Sequence, residues 1–167
     1  MQTHLADFIK DSDTGREADS ILRACVHCGF CNATCPTYQL LGNELDGPRG
    51  RIYLIKQVLE GQPVTQRTQQ HLDRCLTCLN CETTCPSGVQ YGKLLDIGRG
   101  IVEQRVKRSM ASNLVRFMLL KTVPYPNRFK GFMGIGKLVS PLLPAQLKSK
   151  LPNPNSPLKP FIKTKHA

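Results

Sequence analysis

At 167 residues and 18.6 kDa the chain is sized for one domain with an appendage, and no hydrophobic secretory segment follows Met1. Trp is absent and aromatic residues make up only 6 %, so a large conventional apolar core is excluded and something else has to help hold the fold. The formal charge of +11 is uneven: residues 1–100 carry ten Lys or Arg against eleven Asp or Glu, whereas 101–167 carry thirteen against one.

The first dozen residues are polar and acidic, and 1–14 are expected to be a loose N-terminus. Thr14-Gly15-Arg16-Glu17 has the form of a capping box, and Ala18, Ile21, Leu22 and Ala24 then make the apolar face of a short helix that delivers Cys25. The run from Cys25 to Pro36, CVHCGFCNATCP, follows. Gly29 suits a tight wrap of backbone, and His27 is placed either to donate to a sulfur or to stand exposed. Beyond Pro36 a short apolar stretch ends at Asp46-Gly47-Pro48-Arg49-Gly50, which breaks the chain before a helix from about Arg51 to Glu60, closed by Gly61. Arg49 and Arg51 stand where cationic donors either face an anionic group or simply start a solvated helix. Thr65 caps the next helix, which ends at Leu72-Asp73-Arg74 and delivers Cys75.

The run from Cys75 to Pro86, CLTCLNCETTCP, repeats the first at identical spacing, so the two hold all eight cysteines of the chain. CxxCxxCxxxCP is the ligand run of bacterial ferredoxins, in which three thiolates take one cluster and the fourth reaches the other. The proline fixes φ and directs the fourth cysteine away from its own loop. Cys25, Cys28, Cys31 and Cys85 are therefore expected to hold one cluster, and Cys75, Cys78, Cys81 and Cys35 the other. With every ligand position filled by Cys, both are expected to be 4Fe-4S clusters. Disulfides are disfavoured because nothing marks the chain for secretion. Tetrahedral zinc would leave the grouping of cysteines in fours after this pattern without a reason.

After Pro86, Leu94, Leu95, Ile97, Ile101, Val102 and Val106 mark the stripe of a long helix, closing a domain over 15–108. From Ser109 the character changes. Asn113 to Lys121 and Phe129 to Leu143 are apolar but interrupted by Lys, Arg and Pro, too short to span a membrane, and 109–150 reads as an amphipathic helical connector. Gly131, Gly134 and Gly136 read as a helix interruption, and 151–167 as a Pro- and Lys-rich linker or tail. The fold class is thus all-α, a pseudo-twofold repeat of helix, ligand loop, proline and helix. No residue is a credible acid, base or nucleophile, so no catalytic residue is assigned and no small molecule is expected to bind directly.

RACVHCGFCNATCPTYQLLGNELDGPRGRIYLIKQVLEG and HLDRCLTCLNCETTCPSGVQYGKLLDIGR together resemble the iron-sulfur subunit of bacterial glycolate oxidase, from about residue 17 to about 108 and more weakly to about 152. The resemblance implies an α-helical ferredoxin domain with two 4Fe-4S clusters, relaying electrons from flavin to a later acceptor. It implies FAD only in the partner subunits, the flavin-bearing glycolate oxidase subunits, where the oxidation occurs. Family members continue into two domains with a Cys-Cys-Gly signature, and no cysteine follows Cys85 here, so a truncated form or a separately encoded second half is expected. The same module is similar to those of lactate-utilisation proteins, heterodisulfide reductase and the anaerobic glycerol-3-phosphate dehydrogenase, which remain alternatives for the partner. A cytoplasmic location is expected, with 113–143 suited to peripheral contact with anionic lipid on the inner face of the membrane. The rival of another class is a metal-stapled module that grips nucleic acid through the basic tail. It is disfavoured because that tail lacks interleaved aromatics, and no nucleic-acid partner is expected.

Overall fold

The computed structural model describes residues 1–139. These fall into two units, one of residues 1–108 and one beginning at Ser109. The expected 151–167 tail and the connector beyond Val139 lie outside the described residues. Among the described residues every regular element is helical, so the chain is all-α as its pattern implies.

In the first unit α1 (Asp13–Ala24) starts earlier than the Thr14 box suggests, because Ser12 is the cap: its Oγ accepts from the Gly15 amide at 2.9 Å and donates to Ile9 O at 2.8 Å. The turn before it folds back so closely that a Cβ on Gly15 would stand 2.0 Å from Ile9 O. The N-terminus is not loose. The Met1 amine donates to the carbonyl of Cys25 at 2.8 Å, Ala6 N–H donates to Leu59 O at 2.9 Å, and Thr3 and Ile9 are buried. Composition alone suggested looseness, but apolar Ile9, with Met1 and Leu5, gives the segment a face to pack.

Two short helices follow, α2 (Phe30–Ala33) and α3 (Pro36–Leu41), then a 3-10 turn over Glu44–Asp46. The central helix α4 (Pro48–Leu59) begins three residues before the expected Arg51, since Pro48 supplies a preset φ at a position whose N–H would be unpaired anyway. In α5 (Gln66–Asp73) the Thr65 hydroxyl accepts from the Thr68 amide at 3.2 Å, as the sequence implies. α6 (Asn80–Thr83) and α7 (Tyr91–Arg105) complete the unit. Leu22, Ile55, Leu59, Leu72, Leu94 and Leu95 form the fully buried centre. There α4 and α7 approach closely enough that a Cβ on Gly98 would lie 2.6 Å from Ile55 Cγ1.

The repeat is a repeat of structure, offset by fifty residues. Cys25 N–H bonds Leu22 O at 3.1 Å and Cys75 N–H bonds Leu72 O at 3.2 Å; Asn32 N–H bonds Gly29 O and Glu82 N–H bonds Leu79 O, both at 2.9 Å. Each loop is thus hung from the end of one helix and closed by one short turn of another.

The second unit contains α8 (Met110–Thr122), capped by the Ser109 hydroxyl, and α9 (Pro126–Val139). α9 runs through Gly131 and Gly134, correcting the expected interruption. Glycine in a helix costs about 1 kcal/mol against alanine but does not remove a hydrogen bond as proline does. No helix among the described residues is long and apolar enough to cross a membrane. Leu114, Val115, Met118, Leu119, Phe129 and Phe132 line a groove between the two helices and are mostly exposed.

Candidate metal centre

Both cysteine loops wrap by visiting the left-handed region twice: His27 (φ 58°) and Gly29 (φ 88°) in the first, Thr77 (φ 54°) and Leu79 (φ 59°) in the second. Alternation of right- and left-handed residues turns successive amide N–H groups into one concavity, the arrangement that receives anions and iron-sulfur clusters. The amide of the residue two beyond the first cysteine turns back to its sulfur in each loop, His27 to Cys25 and Thr77 to Cys75, the latter at 3.4 Å. Sequence pointed only to Gly29. A left-handed β-branched residue such as Thr77 is a genuine outlier, and it is held by Arg99, whose guanidinium donates to Thr77 Oγ1 at 3.1 Å, Leu72 O at 2.8 Å and Cys75 O at 2.9 Å.

Two cavities open between the loops. Cys25, Cys28, Cys31, Cys81 and Cys85 line the first, and His27, Gly29 and Arg49 share the wall. Cys35, Cys75, Cys78 and Cys81 line the second, with Thr37, Arg51 and Tyr91. The fourth cysteine of each run therefore stands at the cavity of the other run. All eight cysteines are free thiols. Among the described residues no three His, Cys, Asp or Glu side chains converge on one point as a single chelated ion would need.

Burial pushes the Cys31 thiol up to about 11, the neighbouring Cys25 and Cys28 adding to it. Burial pushes Cys81 up to about 12, with Cys75, Cys31 and Cys35 adding. Tyr91 is also raised, by burial first and then by Cys75, so its hydroxyl stays protonated and donates to the Cys75 sulfur at 3.5 Å.

Beside the second cavity lies a buried polar network that the sequence did not disclose. Asp46 and Arg51 have no exposed surface. Burial would raise the Asp46 carboxyl, but His71 Nδ1 and Arg74 Nη1, each at 3.0 Å, together hold it below its ordinary value. Thr37 Oγ1 lies 3.2 Å from the Cys35 sulfur, donates to Asp46 O at 2.8 Å and accepts from Arg51 Nη1 at 3.1 Å. Each cavity also has one buried nitrogen without a hydrogen-bond partner in its wall, His27 Nε2 in the first and Arg51 Nη2 in the second. Eight soft thiols, inward amides and these two orphaned nitrogens fit anionic metal-sulfide clusters.

Residues 21–89 match the family model described as a 4Fe-4S dicluster domain. The chain carries a 4Fe-4S dicluster domain, and its cofactors are two 4Fe-4S clusters. It is 60 % identical over 166 residues to the glycolate oxidase iron-sulfur subunit of Escherichia coli (strain K12), a match covering 99 % of this chain and 41 % of that protein. It is 39 % identical over 114 residues to the probable glycolate oxidase iron-sulfur subunit of Bacillus subtilis (strain 168), covering 66 % of this chain and 26 % of the relative. The chain thus spans less than half the length of either relative.

The dicluster loops make a test of the left-handed positions. A Cβ on Gly29 would lie 3.1 Å from Arg49 Nη1 at a φ of +88°, and a left-handed L-residue costs about 1–2 kcal/mol, more when β-branched. Gly29→Val is expected to lose roughly half of the iron and acid-labile sulfide after anaerobic reconstitution, one cluster of the two, whereas Leu79→Gly retains both. Equal iron in the two variants would show that the loop conformation does not govern cluster binding.

Proposed function

We propose that this chain is the electron-transfer part of a flavin-dependent 2-hydroxy-acid dehydrogenase complex, with glycolate as the substrate of the complex. In this reading Cys25, Cys28, Cys31 and Cys85 ligate one 4Fe-4S cluster, and Cys75, Cys78, Cys81 and Cys35 the other. The observation that carries it is the lining of the two cavities: Cys85 stands with Cys25, Cys28 and Cys31 at the first, Cys35 with Cys75 and Cys78 at the second, and Cys81 lines both. The similarity to glycolate oxidase iron-sulfur subunits supports the choice of complex. When bound, the clusters supply one-electron relay sites. The chain's own residues bind them, turn amides toward their sulfurs and bury them against apolar helices. The acid's hydride and proton are handled by flavin-bearing partner subunits, so the chain is not catalytic on its own. The alternatives for the partner are the dehydrogenases of lactate or glycerol 3-phosphate and the heterodisulfide reductases.

A second reading concerns location. Residues 104–167 contain no Asp or Glu, and α8 and α9 expose large apolar side chains such as Leu114, Phe117 and Leu120 among Arg116, Lys121 and Arg128. A cationic apolar hairpin of this kind suits the anionic cytoplasmic face of a membrane, where each basic residue near the surface contributes about 1 kcal/mol. The full chain should co-sediment with phosphatidylserine vesicles at low salt and be released at high salt. Equal sedimentation with neutral vesicles would count against this location.

Two experiments test the principal reading. Cys85→Ser should perturb the spectroscopic signature of the cluster built on Cys25, Cys28 and Cys31; if only the cluster built on Cys75, Cys78 and Cys81 responds, each run keeps its own fourth ligand. Mixed anaerobically with cognate flavin subunits, the reconstituted chain should lose its cluster absorbance on addition of glycolate, while the chain alone shows no such bleaching. Bleaching by lactate or glycerol 3-phosphate, but not by glycolate, would move the chain to one of the alternative complexes.

A further inference from the structure

The two cavities are built alike in sulfur but not in charge. At the second, the Arg51 guanidinium is enclosed with 0 % exposure and lines the cavity wall. Its Nε donates to His71 O at 2.8 Å and its Nη1 to Thr37 Oγ1 at 3.1 Å. Nη2 stands 3.8 Å from Asp46 Oδ1, beyond hydrogen-bond reach, and has no other partner. Leaving a buried charged donor unpaired is costly, and an anionic cluster in the adjoining cavity is the acceptor that the site lacks. The counter-charge Asp46 is shared with Arg74 and His71, each at 3.0 Å, so it does not serve Arg51 alone.

At the first cavity the corresponding positions are weaker. The Arg49 side chain is 39 % exposed and is paired with Glu44 at 2.6 Å, which cancels its charge locally and leaves the remainder to solvent. The orphaned nitrogen there is Nε2 of the His27 imidazole rather than a guanidinium nitrogen. The Met1 amine is the other cation nearby, and it is engaged by the carbonyls of Leu22, Arg23 and Cys25. A side-chain donor to sulfur also favours the second cavity, where Tyr91 Oη reaches Cys75, while the His27 and Thr77 amides serve their two loops alike.

We infer that Arg51 makes the pair unequal, holding the transferred electron preferentially at the cluster bound by Cys35, Cys75, Cys78 and Cys81. A buried cation and hydrogen bonds to sulfur both stabilise the more negative, reduced state. Arg51 acts here as a positioning residue for charge, and the second cavity becomes the higher-potential end of the relay. This rests on the ligand assignment proposed above.

The experiment is an anaerobic potentiometric titration of the reconstituted full chain followed by electron paramagnetic resonance, with iron content measured on each sample. Two one-electron waves are expected. Arg51→Met should lower the higher wave so that the reduced-to-oxidised ratio of that cluster at fixed potential falls at least tenfold, about 59 mV for one electron, while the lower wave holds. Arg51→Lys, which keeps the charge, should lower it less than half as far. Cys28 and Cys78 are both exposed, so their serine variants assign the waves even if Arg51→Met fails to hold iron: Cys78→Ser should displace the higher wave and Cys28→Ser the lower. Coincident waves, displacement of the higher wave by Cys28→Ser, or an Arg51→Met shift that is absent or equal in both waves at full iron content would overturn the inference. A wild-type chain that takes up no iron would instead overturn the ligand assignment, and the inference with it.

Discussion

Burial holds the Cys31 and Cys81 thiols at about 11 and about 12, so at neutral pH neither becomes a thiolate unless a cation stands beside it. Iron bound at these thiols would supply that cation and displace their protons, which would couple binding to folding. The architecture follows from this demand. Every helix of the first unit either ends on a cysteine, begins just after one, or covers the pair of cavities. The fully buried apolar side chains on α1, α4, α5 and α7 fix where those helix ends lie. A core this poor in aromatics holds the loops in position, and the clusters tie together what the core leaves open.

The fifty-residue repeat solves the geometric problem twice, but the solutions are not copies. Left-handed residues fall at matching places in both loops, yet the first loop meets one of them with Gly29 and the second with Leu79. At the other left-handed place of the second loop, Thr77 is held by Arg99, tied to its hydroxyl and to two carbonyls. Between the runs, the 3-10 turn at Glu44–Asp46 has no counterpart in the second half, and it inserts Asp46 against Arg51, His71 and Arg74. A dry ion network of this kind contributes little net stability, because desolvation cancels most of the attraction. Its consequence is positional: it fixes a buried guanidinium, Arg51, at the second cavity wall, where the first has the part-exposed Arg49.

What was legible in the sequence is what depends on local spacing. The cysteine runs, the helices that deliver Cys25 and Cys75, the Thr65 cap and the stripe of α7 are all set by neighbours within a few residues. What was not legible depends on distant partners. Asp46 and Arg74 are remote in sequence, and nothing in DGPRG marks its aspartate as buried. Thr77 and Leu79 look like ordinary loop residues because left-handed backbone is signalled only where glycine supplies it. The N-terminal residues look loose by composition, since their anchors are a terminal amine and a backbone amide, which have no sequence signature. The glycines of α9 suggest a break by their low helix propensity, and the hydrogen bonds of a 14-residue helix outweigh it.

The second unit obeys an opposite logic. Helices of 13 and 14 residues are marginal by themselves in water and draw their stability from whatever apolar surface covers them. Along α8 the side chains of Met110, Leu114, Phe117 and Leu120 point more than half of their surface to solvent, and none of its residues is buried. The partners that could cover them are narrowed by charge: with no acidic residue after Glu103, the hairpin repels cationic surfaces and attracts anionic ones. A covering surface must therefore be apolar within and acidic around its rim, a description met by an anionic bilayer and by an acidic protein groove. The sensitivity of the contact to salt separates the cationic rim from the apolar centre, since screening acts on the first and leaves the second in place.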